Sequence, residues 1–115
     1  MLSRAGDQRK VNASKEIRVA DGRKGYAILT EAIKDPEGMK AYAKAAGSAM
    51  SGATVLAVDT APTVIEGTWH GDQTVVLEFE SVDAARAWYE SEGYQKAAKL
   101  RQAAADCNAV ILAGF

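Results

Sequence analysis

The sequence predicts an α+β domain: a four-stranded antiparallel sheet with helices on one side. Three observations carry that expectation. The apolar spacing alternates between strand and helix periods in the order strand, helix, strand, strand, helix, strand. Asp35-Pro36 and Ser81 stand where the two helices should begin. Ala109-Val110-Ile111-Leu112 is apolar at consecutive positions, so the last strand asks for cover on both faces.

Tyr26 to Ile33 reads as the first strand, and the helix opened by Asp35-Pro36 places Met39, Tyr42, Ala43, Ala46 and Met50 on one face. Ser51-Gly52 stops that helix, and Ala53 to Val58 is the second strand. Ala61-Pro62 marks an irregular run, Val64-Ile65-Glu66 a short strand extension, and Trp69 to Asp72 a turn. From Gln73 to Glu80, Val75, Leu77 and Phe79 share one face while Val76, Glu78 and Glu80 share the other. Ser81 caps a helix whose stripe is Val82, Ala85, Trp88 and Tyr89. A break is expected at Gly93, followed by a helix to about Ala105 and a strand from Asn108 to Gly114. This order is the split βαβ, ferredoxin-like arrangement. Two helices cover one sheet face only, so the other is expected to pack against a second copy in a homodimer.

At 115 residues the chain is long enough for one domain with a modest core. Its 14 Lys+Arg against 15 Asp+Glu give no global attraction for nucleic acid or an anionic membrane. Residues 1–24 nevertheless carry seven basic and three acidic side chains. Residues 1–23 show no sustained period and read as a disordered basic leader, with the folded domain spanning 24–115. The leader has no aromatic residue to stack on a base, which argues against a nucleic-acid arm. Cys107 is the only cysteine, so no intrachain disulfide forms, and no apolar run suggests a membrane span. The expectation is a cytoplasmic protein.

Arg101 is the sharpest candidate for a binding role, because it interrupts the apolar side of the last helix among Tyr94, Ala97, Ala98, Ala104 and Ala105. A buried guanidinium needs a carboxylate, carbonyls or an anionic ligand. Glu31, Glu66 and Glu78 are the carboxylates considered for a structural ion pair. Trp88, Tyr89 and Tyr94 serve either as core or as pocket wall, with Tyr26 and Tyr42 as weaker candidates for the same cavity. His70 is the sole histidine. It is a conceivable base, but beside Gly71-Asp72 it reads as an exposed turn residue. One His and one Cys do not make a transition-metal site, and no nucleophile triad or phosphate loop is present. No cofactor is expected.

Several motifs together resemble the family numbered 1330 among domains of unknown function, over roughly Lys24 to Phe115. They are Lys24-Gly25-Tyr26, the Leu-Glu-Phe-Glu run ending at Ser81, Ala87-Trp88-Tyr89, Tyr94-Gln95 and Leu100-Arg101, joined by Glu66-Gly67 and Trp69. The resemblance implies a dimeric α/β barrel with a pocket in each subunit. Relatives in that superfamily include small monooxygenases that work without metal or prosthetic group. The chain departs from the family pattern at Val58-Asp59-Thr60, at Gln73, where a basic residue is common, and at Ser91-Glu92-Gly93-Tyr94.

The functional expectation is therefore a homodimer binding a small hydrophobic or carboxylated metabolite between helices and sheet. Arg101, Trp88, Tyr94, Tyr26, Glu66 and His70 are the candidate binding residues. A non-catalytic structural or stress-associated module with Arg101 in an ion pair is the alternative, and a cofactor-free monooxygenase- or isomerase-like enzyme a further one. Whether the protein is an enzyme is not legible at this level.

Overall fold

A computed structural model describes residues 22–115. All but the last two residues of the basic leader lie outside the described residues. The elements are β1 (Gly25–Ile33), α1 (Pro36–Gly47), β2 (Thr54–Asp59), β3 (Gln73–Phe79), α2 (Val82–Glu90), α3 (Glu92–Ala104) and β4 (Ala105–Ala113). The strands form one antiparallel sheet in the order β2-β3-β1-β4, the ferredoxin-like arrangement expected from the pattern.

Alternation along β1 decides which side is core. Ala27, Leu29 and Glu31 point to the helices and are nearly inaccessible, whereas Tyr26 and Ile28 on the other face are half-buried. Leu77 and Phe79 of β3 join the helix side, where they meet Ala85, Trp88, Tyr94, Ala97 and Ala98. With Ala46 of α1, five of the ten residues buried in this cluster are alanines, so the helices sit close to the sheet and the aromatic rings fill most of the volume.

Each helix start follows its local chemistry. Pro36 opens α1 with its fixed φ, although Asp35 makes no side-chain cap. Ser81 Oγ accepts from the Ala84 amide at 3.0 Å and caps α2. The break before α3 falls at Ser91 rather than Gly93. Its hydroxyl donates to the Trp88 carbonyl at 2.8 Å and accepts from the Tyr94 amide at 3.2 Å, so one side chain closes α2 and opens α3. Gly93 lies inside the first turn of α3.

Three further expectations are corrected. Ala43 faces solvent, because the α1 stripe runs through Met39, Tyr42 and Ala46. Val64-Ile65-Glu66 forms no strand; it belongs to an irregular loop whose Ile65 is 89% exposed. β4 begins at Ala105 and follows α3 with no intervening loop.

The helices do not reach across the whole sheet. All six residues of edge strand β2 are exposed, including Val55, Leu56 and Val58. At the opposite edge Val110 and Leu112 are about half-exposed on the open face, at 51% and 46%. The apolar run of β4 thus divides between the faces, with Val110 and Leu112 on the side that no helix covers and Ala109 and Ile111 toward the helices.

Candidate functional site

Seven residues separate Tyr94 from Arg101, two turns of α3, so both look into the helix–sheet interior. Ser91 turns the chain so that the rings of Trp88 and Tyr94 lie 4.1 Å apart between centroids. Trp88 also packs on Phe79 at 5.1 Å. From α1, Tyr42 meets Tyr94 edge-on, and their hydroxyls share a hydrogen bond of 2.8 Å. The Arg101 guanidinium carbon sits 5.8 Å from the Tyr42 ring centroid.

Glu31, 1% exposed, completes this polar layer from the sheet. In register it lies between Gln73 of β3 and Cys107 of β4. Gln73 Nε2 donates to Glu31 Oε1 at 2.7 Å, while Glu31 Oε2 is buried without a partner. Arg101, 2% exposed, likewise leaves Nε buried and unpartnered. Burial opposes the charge on Arg101. The oxygen ends of Tyr94 and Tyr42 and a contact with Cys107 outweigh it, and the guanidinium is held more basic than usual. Burial, and then the hydrogen bond to Tyr94, push the Tyr42 phenol well above its ordinary range.

The ion pairs considered for Arg101 do not form. Among the described residues no carboxylate oxygen lies within 4.0 Å of its nitrogens. Glu78 is on the opposite face of the sheet, accepting from the Tyr26 hydroxyl at 2.9 Å, and Glu66 sits in the exposed loop. Glu31 is on the correct side but stands beyond salt-bridge distance.

Beside this cluster an apolar cleft of about 350 Å³ runs between α2 and the β1–β4 edge. Ala27, Leu29, Ala109 and Ile111 form its sheet wall, Trp88 and Tyr89 its helix wall, and Arg86 stands among the lining residues. It exists because Ala109 and Ile111 face the helix side at a sheet edge that α2 only partly covers. Trp88 Nε1 is buried without an acceptor. Arg101 is not among the walls of this cleft.

The remaining candidates lie elsewhere. Tyr26 occupies the open face and does not share the Arg101 region; its phenol is raised by the hydrogen bond to Glu78. Glu66 lines a loop cavity of about 540 Å³ with Trp69 and Ile65. His70 is not a free turn residue: Nδ1 and Thr30 Oγ1 share a hydrogen bond of 2.6 Å, and Nε2 lies 4.0 Å from Asp106 Oδ2. With Ile28, Trp69, Asn108 and Val110 it borders a hollow on the open face. The structure thus brings Arg101, Tyr94 and Trp88 together and leaves Tyr26, Glu66 and His70 apart.

Sequence reasoning gives Glu31 only as a partner for Arg101, although its i, i+2, i+4 spacing with Ala27 and Leu29 puts it on the buried face. Arg86 carries no sequence signal, since an arginine three residues after Asp83 reads as a solvated helix face. Among the described residues no cluster of His, Cys, Asp and Glu is arranged to hold a metal, and no helix is long and apolar enough to cross a membrane.

Fold and interior together define a ferredoxin-like α+β domain with an aromatic and charged layer under its helices. The chain belongs to the family described as Domain of unknown function (DUF1330), whose model matches residues 24–115. In fold it is similar to a protein of unknown function from Rhodopseudomonas palustris, with a TM-score of 0.68 and 20% identity over 87% of this chain and 89% of that one. It is also similar to a dimeric ferredoxin-like protein of unknown function from Thermobifida fusca, with a TM-score of 0.56 and 16% identity over 81% and 92% of the two chains. A cofactor-independent oxygenase from Streptomyces nogalater shares the fold at a TM-score of 0.53, with 13% identity over 79% and 91%. No protein with a curated description matches.

Proposed function

We propose that the protein is a homodimer that binds a small, largely apolar acid in the cleft between α2 and the sheet. The observation that carries this reading is the cleft itself: about 350 Å³, with mainly apolar walls that include Trp88 and Tyr89, and with Arg86 among the lining residues. That volume lies at the lower end of the range for ligand pockets, roughly 300–1,000 Å³, in which a few polar groups orient an apolar body. Arg86, whose exposed pairing with Asp83 at 3.7 Å leaves donors free for a second anion, would attract the acid's charge.

Dimerisation is supported by the half-exposed Val110 and Leu112 on the uncovered face and by the dimeric relative from Thermobifida fusca. The fold shared with a cofactor-independent oxygenase says nothing of chemistry at such low identity, so the proposal stops at binding.

The test uses Trp69→Phe protein, which leaves Trp88 as the single tryptophan. An apolar arylsulfonate or arylcarboxylate should quench its emission saturably, and Ala109→Trp, read by the probe's own fluorescence, should abolish binding by filling the cleft. Binding that survives Ala109→Trp in folded protein refutes the site. For the dimer, sedimentation should give twice the chain mass, and Leu112→Glu should yield monomers. A wild-type mass of one chain at micromolar concentration refutes that part.

A further inference from the structure

We infer that the buried layer of Glu31, Arg101, Tyr42 and Tyr94 is a second binding site, for a short organic acid that also carries a hydrogen-bond donor. A hydroxy- or amino-carboxylic acid is that class. Two buried groups of opposite charge face this layer, each with one unanswered atom: Glu31 Oε2, an acceptor, and Arg101 Nε, a donor. Both residues are almost fully enclosed, at 1% and 2% exposure, so bulk water is not the partner of either.

They are close enough that both act on the Tyr42 phenol, Arg101 lowering and Glu31 raising its pKa. They are nonetheless separated by more than the 4.0 Å at which they would pair with each other. A carboxylate and a guanidinium buried apart from each other are costly unless some group answers each of them. The neighbours are already committed. Gln73 holds Oε1 at 2.7 Å, the Tyr42 and Tyr94 hydroxyls share a hydrogen bond of 2.8 Å, and Tyr94 and Cys107 answer the guanidinium elsewhere, which leaves its Nε.

What remains is a donor-seeking oxygen and an acceptor-seeking nitrogen. A carboxylate against Arg101 and an ammonium or hydroxyl against Glu31 Oε2 satisfy both at once. A plain fatty acid satisfies only one of them. The site is distinct from the apolar cleft, whose walls include neither residue. Ligands of the two sites differ in chemistry, so either can fail without the other.

The experiment is calorimetric titration of the full chain with four probes: lactate, alanine, propionate and methyl lactate. Lactate or alanine should bind, and propionate, which lacks the donor, and methyl lactate, which lacks the charge, should bind at least tenfold more weakly. Glu31→Gln should abolish alanine binding and weaken lactate at least tenfold, while Gln73→Leu, which leaves Oε2 in place, should retain both. The arms separate the two sources of donor, because loss confined to alanine identifies an ammonium against Glu31, whereas loss of both identifies the Glu31 carboxylate oxygen as the acceptor that ammonium and hydroxyl share. If Glu31→Gln does not fold, crystals soaked in 3-bromolactate supply the reading, with anomalous bromine density expected between Glu31 and Arg101. No heat with either acid at millimolar concentration, equal binding of propionate, or a lone ordered water in that density overturns the inference.

Discussion

Ser91 is one hydroxyl with two duties, and a pair of substitutions separates them. It accepts from the Tyr94 amide at 3.2 Å at the start of α3 and donates to the Trp88 carbonyl at 2.8 Å at the end of α2. Ser91→Ala removes both. Loss of an N-cap costs about 1 kcal/mol. The stranded carbonyl adds about 1 kcal/mol, the net value of a typical hydrogen bond. The expected total of about 2 kcal/mol lowers the melting temperature by roughly 8–12 °C in a domain of this size. Ser91→Asp keeps the acceptor but cannot donate, so it should lose about 1 kcal/mol. The control is Ser81, whose hydroxyl accepts from Ala84 alone at 3.0 Å; Ser81→Asp should be nearly neutral. Urea unfolding at constant slope and one protomer concentration reads all three variants. Should Ser91→Asp match the wild type, the donation to Trp88 is not holding the two helices at their junction and the reasoning fails.

Gly71 adopts φ 86°, and a Cβ there would stand 2.6 Å from the Glu31 backbone carbon and oxygen. Gly71→Ala should therefore cost about 2–3 kcal/mol, measured by denaturant unfolding; a loss below 1 kcal/mol would contradict this close approach. The Tyr42 phenol is raised in the folded state above its ordinary value of 10.0. Its contribution is complete below pH 10.0 and is lost as pH rises beyond that, because the unfolded chain gives up the proton first. Alkaline unfolding followed from pH 9 to 11.5 should start earlier in wild type than in Tyr42→Phe relative to each protein's stability at pH 8; parallel curves would count against a buried, protonated phenol.

The sequence exposes the fold because its local signals agree with one another. Pro36 after Asp35, the Ser81 cap and the alternation from Val75 to Phe79 each describe structure within a few residues. The break between α2 and α3 is less legible. Glycine suggests a stop at position 93, but the side chain able to serve two helix ends at once is Ser91. Arg101 stands out because a charge interrupts an apolar stripe, whereas its partnering depends on distances between strands far apart in sequence. That is why Glu78, equally acidic, proves to face away and Glu31 does not. The sequence offers Trp88 and Tyr89 as pocket wall, but the cleft's sheet wall and its extent leave no mark there. The cleft arises from how far α2 extends over Ala109 and Ile111, a matter of tertiary packing.

β1 behaves as a partition wall one residue thick. Thr30 and Glu31 are neighbours in the chain yet open onto opposite rooms, the threonine onto His70 and the glutamate onto the interior beneath the helices. Slippage by a single position would exchange them, sending a charge into the uncovered side and a short hydroxyl under Arg101. Both ends of the strand are wedged against such a slip. A side chain at Gly25 would collide with the Ser81 backbone at 2.3 Å, and Asp72 pins the far end through the Ile33 amide at 2.9 Å. Insertions in this strand should consequently erase both compartments together, while the loop between Pro62 and Trp69 is free to change length.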